Sequence, residues 1–123
     1  MKKSKPTVVI GASTNPERYS YKAAAMLKQN NQPIYLVGIK KGEVMGHPIY
    51  PFGTVFNEPI DTVTLYLNPE AQKQYYSYIL SLKPKRIIFN PGTENPELAN
   101  LAVGSGIEVV SACTLVLLST QQF

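Results

Sequence analysis

A chain of 123 residues has room for one domain, and 44% apolar against 16% charged residues excludes disorder, collagen and coiled coil. The only cysteine, Cys113, and the only histidine, His47, exclude an internal disulfide framework and a Cys/His zinc cage, so no metal site is expected. The net charge of +4 is uneven: residues 1–42 hold Lys2, Lys3, Lys5, Arg18, Lys22, Lys28, Lys40 and Lys41 against Glu17 alone, while the remainder is mildly acidic. That distribution favours a phosphorylated partner near the N-terminal half.

In chain order, Thr7-Val8-Val9-Ile10 is a β-branched run closed by Gly11, the pattern of a strand buried on both faces. Tyr21 to Asn30 carries Ala23, Met26 and Leu27 at helical spacing, with Asn30-Asn31 as a stop. Pro33 to Gly38 predicts a second strand, since proline is permitted at its first position. Residues 39–59 hold Gly42, Gly46, Pro48, Pro51, Gly53 and Pro59, which predicts turns with a short strand at Pro48 to Tyr50. Asp61 to Leu67 predicts a strand, followed by one helix whose face is Ala71, Tyr75, Tyr78, Ile79 and Leu82. A strand at Arg86 to Phe89, a helix through Leu98, Ala99, Leu101 and Ala102, and a last strand at Ile107 to Val110 complete the pattern. Such alternation implies an α/β fold with a parallel sheet covered on both faces.

No apolar run approaches the roughly 18 residues of a membrane span. The start, Met1-Lys2-Lys3-Ser4-Lys5, looks like a signal-peptide n-region, but Thr7 to Ala12 is too short an h-region and runs into Ser13-Thr14-Asn15. A cytoplasmic protein without a membrane partner is expected.

In an open parallel sheet, ligands sit beyond the carboxyl ends of the strands. Three such places carry one tripeptide, Asn15-Pro16-Glu17, Asn68-Pro69-Glu70 and Asn95-Pro96-Glu97, with Asn90-Pro91-Gly92 a partial fourth. Asparagine caps, proline fits the first turn and glutamate suits the positive helix end, so the plain reading at 68 and 95 is a helix start. The loop Gly11-Ala12-Ser13-Thr14-Asn15 differs, because it follows the first strand directly and offers backbone N–H groups and hydroxyls to a phosphate. It departs from the dinucleotide fingerprint G-x-G-x-x-G at Ser13 and Pro16, which disfavours ordinary NAD binding. After the second strand, where NAD enzymes place a carboxylate, stand Gly38-Ile39-Lys40-Lys41. Two lysines there suit a ribose carrying an extra phosphate, as in NADP or coenzyme A.

The run Gly11 to Tyr21, followed by Gly46-His47-Pro48-Ile49-Tyr50-Pro51, resembles the single-domain CoA-binding family, relatives of the CoA-binding domain of succinyl-CoA synthetase alpha subunits. The resemblance implies a single CoA-binding, Rossmann-like domain over residues 1–123, a doubly wound parallel sheet of about five main strands ordered 3-2-1-4-5 with helices on both faces. It implies coenzyme A or an acyl-CoA as ligand. Gly11, Ala12, Ser13, Asn15, Arg18 and Ser20 would form the phosphate-binding loop, Lys40 with Lys41 would face the ribose phosphate, and Asn68 and Pro69 would form a turn against the cofactor. Relatives commonly show Asn-Pro where this chain has Gly38-Ile39, and a basic residue where it has Ala112. The phosphohistidine domain of the synthetases has no counterpart here.

No acid and base stand beside a nucleophile in this sequence. His47 reads as a loop residue without catalytic duty, and Cys113 as a small packed apolar residue or, on the other reading, a thiol near the ligand's tail. Tyr75 and Tyr78 read as core, whereas Tyr76 points away from them, and an exposed aromatic there would suit a homodimer. The leading expectation is therefore a CoA binder that is non-catalytic alone, with a small nucleotide as partner. The alternative is an NADP-dependent reductase-like or acyl-CoA-transforming enzyme; a nucleic-acid partner is disfavoured, because only Arg18 and Arg86 are arginines.

Overall fold

The computed structural model describes residues 4–123, so Lys2 and Lys3 of the basic first third lie outside the described residues. Seven strands alternate with helices: β1 (Thr7–Ile10), α1 (Tyr19–Gln29), β2 (Ile34–Val37), β3 (Glu43–Val44), β4 (His47–Tyr50), β5 (Thr62–Leu65), α2 (Pro69–Gln72), α3 (Tyr76–Ser81), β6 (Arg86–Phe89), α4 (Pro96–Gly104), β7 (Glu108–Ser111) and α5 (Thr114–Ser119). They form one sheet in the order β3-β4-β2-β1-β5-β6-β7, parallel throughout except for the β3/β4 pair. With β4 counted third, the stretch β4-β2-β1-β5-β6 runs 3-2-1-4-5 as expected, and β3 and β7 add one strand at each edge.

The β-branched runs are strands because both of their faces are covered. Val8 and Ile10 of β1 join Val63 and Leu65 of β5 and Ile87 and Phe89 of β6 in one core, under Ile79 of α3 and Leu98 and Ala102 of α4. Val9 joins Ile34 and Leu36 of β2 in the opposite core, under Ala24 and Leu27 of α1 and Leu118 of α5. This is the period-2 alternation of a sheet buried on both sides. Connections from β1 travel one way across the sheet over one face, and those from β5 travel the other way over the other face. The carboxyl ends of β1 and β5 therefore diverge, which opens a crevice between their exit loops.

Four expectations need correction. The helix expected through Leu82 is broken: α2 ends at Gln72, a 3-10 turn spans Lys73–Tyr75, and α3 starts at Tyr76. Tyr75 leaves helical geometry at φ −115°, ψ 8°, and its ring stacks on Phe52 at 3.7 Å and 15°. Packing against a distant loop thus outweighs the local propensity. His47 opens strand β4 instead of lying in a loop. The left-handed pair Met45 (φ 49°) and Gly46 (φ 83°) turns the chain tightly enough for Val44 and His47 to pair. Tyr76 is half-buried instead of exposed, its hydroxyl donating to Glu97 Oε1 at 2.8 Å and accepting from Asn95 Nδ2 at 2.8 Å. Helix α5 was not expected, because six residues rich in Leu, Val and Thr carry no helical signature of their own.

No helix among the described residues is long and apolar enough to cross a membrane.

Candidate functional site

The loop after β1 is built by close approach to its neighbours. Gly11 has φ +94°, and a Cβ there would sit 3.0 Å from the carbonyl carbon of Tyr66. Only glycine fits both the conformation and the space. The N–H groups of Gly11 and Ala12 both donate to Val37 O at 2.9 Å, so these two donors bind the loop to β2. Asn15 N–H donates to Ser13 Oγ, and Glu17 N–H to Asn15 Oδ1, each at 3.0 Å. Arg18 N–H donates to Asn15 O at 3.0 Å. The first Asn-Pro-Glu therefore makes a turn ahead of α1, whose N-cap is Arg18 without a side-chain bond.

The other two copies do cap helices. Asn68 Oδ1 accepts from Ala71 N–H at 2.8 Å, and Asn95 Oδ1 accepts from Glu97 and Leu98 N–H at 3.1 and 3.3 Å. The difference leaves open donors at the first site. Within the described residues, the N–H groups of Ser13, Thr14, Tyr19 and Ser20 have no acceptor, and α1 has no acidic residue in its first turn. Two of these donors, Tyr19 and Ser20, belong to the first turn of the eleven-residue α1, and the other two, Ser13 and Thr14, belong to the loop that precedes it.

The loop after β2 is drawn against this one by two further glycines. A Cβ on Gly38 would meet Ala12 O at 2.6 Å, and one on Gly42 would collide with the Thr14 Cγ2 methyl. Between them stand Ile39, Lys40 and Lys41, all exposed, with Ile39 76% accessible. Among the described residues Arg18, Lys40 and Lys41 form no ion pair; the salt bridge present there joins Lys73 to Glu70 at 3.2 Å. Their charge is available to a ligand.

Both loops open onto a cleft of about 780 Å³ at the carboxyl ends of the strands. Of the sequence-predicted residues it gathers Gly11, Ala12, Ser13, Arg18, Ser20, Lys40 and Asn68. Asn15 shapes the loop from outside, Lys41 stands beside Lys40 off the lining, and Pro69 is the first residue of α2 behind the wall. The charged lining residues, Arg18, Lys40 and Glu17, all belong to the β1 and β2 exits. The opposite wall is uncharged and consists of Tyr66, Leu67 and Asn68 after β5 and Pro91, Gly92 and Thr93 after β6.

Sequence reasoning missed Tyr66 and the Pro91-Gly92-Thr93 segment as site residues; the signal was the partial fourth Asn-Pro at 90–91. Burial pushes the Tyr66 phenol up to about 12 against the opposing pull of Thr114 and Thr64, so it stays protonated at neutral pH. Beneath it Asn90 joins β6, β5 and α5. Its Nδ2 donates to Thr64 Oγ1 (2.7 Å) and Leu65 O (2.8 Å), and its Oδ1 accepts from Thr114 N–H (2.9 Å). His47, in the edge strand, and Cys113, at the head of α5, are not on the cleft lining.

Known proteins bear on this geometry. A crystal structure of an uncharacterized protein shares 51% sequence identity over 99% of this chain and 100% of that one, with a TM-score of 0.95. The structure of cell-free ID.343 from Thermus thermophilus superposes with a TM-score of 0.86 at 23% identity, over 98% of this chain and 91% of that one. A dinucleotide-forming acetyl-coenzyme A synthetase 1 from Ca. Korarchaeum cryptofilum, in complex with phosphate and ADP, has a TM-score of 0.71 at 18% identity. It matches 88% of this chain, which corresponds to 25% of that much longer one. No curated protein matches the sequence. The family model described as CoA binding domain matches residues 5–119, nearly the whole described chain: this protein belongs to the CoA binding domain family.

Proposed function

We propose that this chain binds coenzyme A or an acyl-CoA as a single domain without chemistry of its own. The observation that carries the reading is the division of one cleft into a cationic end with open backbone donors and an uncharged end. Coenzyme A has the same division, three phosphate groups at the nucleotide end and a neutral pantetheine arm. The pyrophosphate lies on the N–H groups of Ser13, Thr14, Tyr19 and Ser20, with Arg18 beside it. The 3′-phosphate meets Lys40 and Lys41, and the arm runs along Leu67, Asn68 and Gly92. The ligand is a small nucleotide held in the cytoplasm, and the thioester, when present, is carried rather than transformed.

Native mass spectrometry of protein purified without added ligand tests the class, since a co-purifying mass of coenzyme A or an acyl derivative is expected. Calorimetry tests the placement. Dephospho-CoA binds about threefold to tenfold more weakly than CoA, because exposed ion pairs contribute modestly. Lys40→Glu weakens CoA further and flattens the salt dependence of binding. Equal affinity for CoA and dephospho-CoA removes the lysine assignment, and an NADPH isotherm tighter than that for CoA replaces the ligand altogether.

A further inference from the structure

The two segments of the uncharged wall are distant in sequence, and one buried side chain joins them. Gln72, with no exposed surface, donates from Nε2 to Leu67 O and to Thr93 O, each at 2.8 Å. Its Oε1 accepts from Asn95 Nδ2 at 2.9 Å. Every hydrogen-bonding group of the amide is thus engaged, and Asn95 in turn caps α4. A methionine of similar length would fill this space without desolvating an amide, so the polar choice acts through direction: it fixes the orientation of two carbonyls and the distance between two loops.

Orientation has a consequence inside the cleft. Peptide bonds here are trans, so turning Leu67 O toward Gln72 turns the N–H of Asn68 the opposite way. Asn68 lines the cleft, and its N–H has no acceptor within the described residues. We infer that Gln72 is a positioning residue for the neutral arm of the ligand: it ties the Leu67 and Thr93 walls at a fixed separation and presents the Asn68 N–H as a donor to an amide carbonyl of that arm. The inference rests on the CoA reading above, whose pantetheine arm contains two amides.

The test compares whole ligand with nucleotide fragment. In Gln72→Met and Gln72→Glu, CoA binds about tenfold more weakly while adenosine 3′,5′-bisphosphate stays within about twofold of the parent, since only the arm loses its positioned donor. Should the variants fail to fold, amide NMR of the parent decides the same point: the Asn68 resonance shifts on addition of CoA and stays put on addition of adenosine 3′,5′-bisphosphate. Equal weakening of both ligands, unchanged CoA affinity, or an Asn68 amide indifferent to CoA overturns the role of Gln72 alone. A parent protein that binds neither ligand overturns the CoA reading itself.

Discussion

Gly38→Ala is expected to weaken CoA binding by about tenfold to a hundredfold, because hydrogen bonds to a charged group are worth about 1.5–3 kcal/mol and the displaced loop loses them. The added methyl would lie 2.6 Å from Ala12 O and 3.1 Å from Ile49 Cγ2. The first is the backbone carbonyl of a residue whose own N–H, like that of Gly11, is already tied to Val37 O, so the whole loop has to move. That movement carries the open donors of Ser13 and Thr14 with it. Forcing extra volume into such a contact also destabilises the fold by about 1–3 kcal/mol. Gly104→Ala is the matched control: nothing lies within 4 Å of its Cβ position, and it closes a helix. There the same change leaves binding intact and stabilises by about 0.4–1 kcal/mol. Urea unfolding and calorimetry on both variants read the contrast. A Gly38→Ala protein with parental affinity would show that the two loops are not held by this approach.

Asn90→Ala should produce the largest loss of stability. The residue is 3% exposed and its side chain satisfies three partners on two elements, Thr64 and Leu65 of β5 and Thr114 of α5. Truncation leaves Leu65 O and Thr114 N–H buried without partners in the same low-dielectric layer. Each orphaned group costs about 1–3 kcal/mol, so the total is roughly 2–6 kcal/mol. Against a typical stability of about 5–15 kcal/mol this is a large fraction. The urea midpoint falls while the slope of the transition is unchanged. The hydroxyl pair Thr64 Oγ1 and Thr114 Oγ1, 2.8 Å apart, survives the substitution, which keeps α5 attached to β5 and the fold recognisable. A midpoint equal to the parent's would mean that water enters beneath Tyr66 and replaces the amide.

Much of the architecture is readable locally. Thr7–Ile10, Ile34–Val37 and Arg86–Phe89 are dense in β-branched or aromatic side chains, and strands form there. Asn68 and Asn95 cap because a short acceptor followed by proline and glutamate is a helix start in any context. The same tripeptide at 15 fails to cap, since Asn15 is occupied in a turn set by Ser13 and α1 begins later, at Tyr19. The break at Tyr75 and the existence of α5 were invisible for a related reason. One depends on Phe52 arriving from a loop more than twenty residues away, the other on the surface that β5 and α1 present to Thr114 and Leu118.

The amino-acid order alone determined an α/β chain whose first strand ends in a glycine-led loop and whose second ends in two lysines, because strand runs, caps and charges are properties of neighbours in sequence. Only the tertiary structure decided which donors stay open. Gly11 and Ala12 spend theirs on Val37, whereas Ser13, Thr14, Tyr19 and Ser20 keep theirs, and that allocation depends on the register of β1 against β2. The uncharged wall is likewise a product of the sheet order, which sets β5 beside β6 and lets Gln72 reach both of their exits. Hydrogen bonds between distant segments are settled by where the strands lie, and no local pattern encodes that.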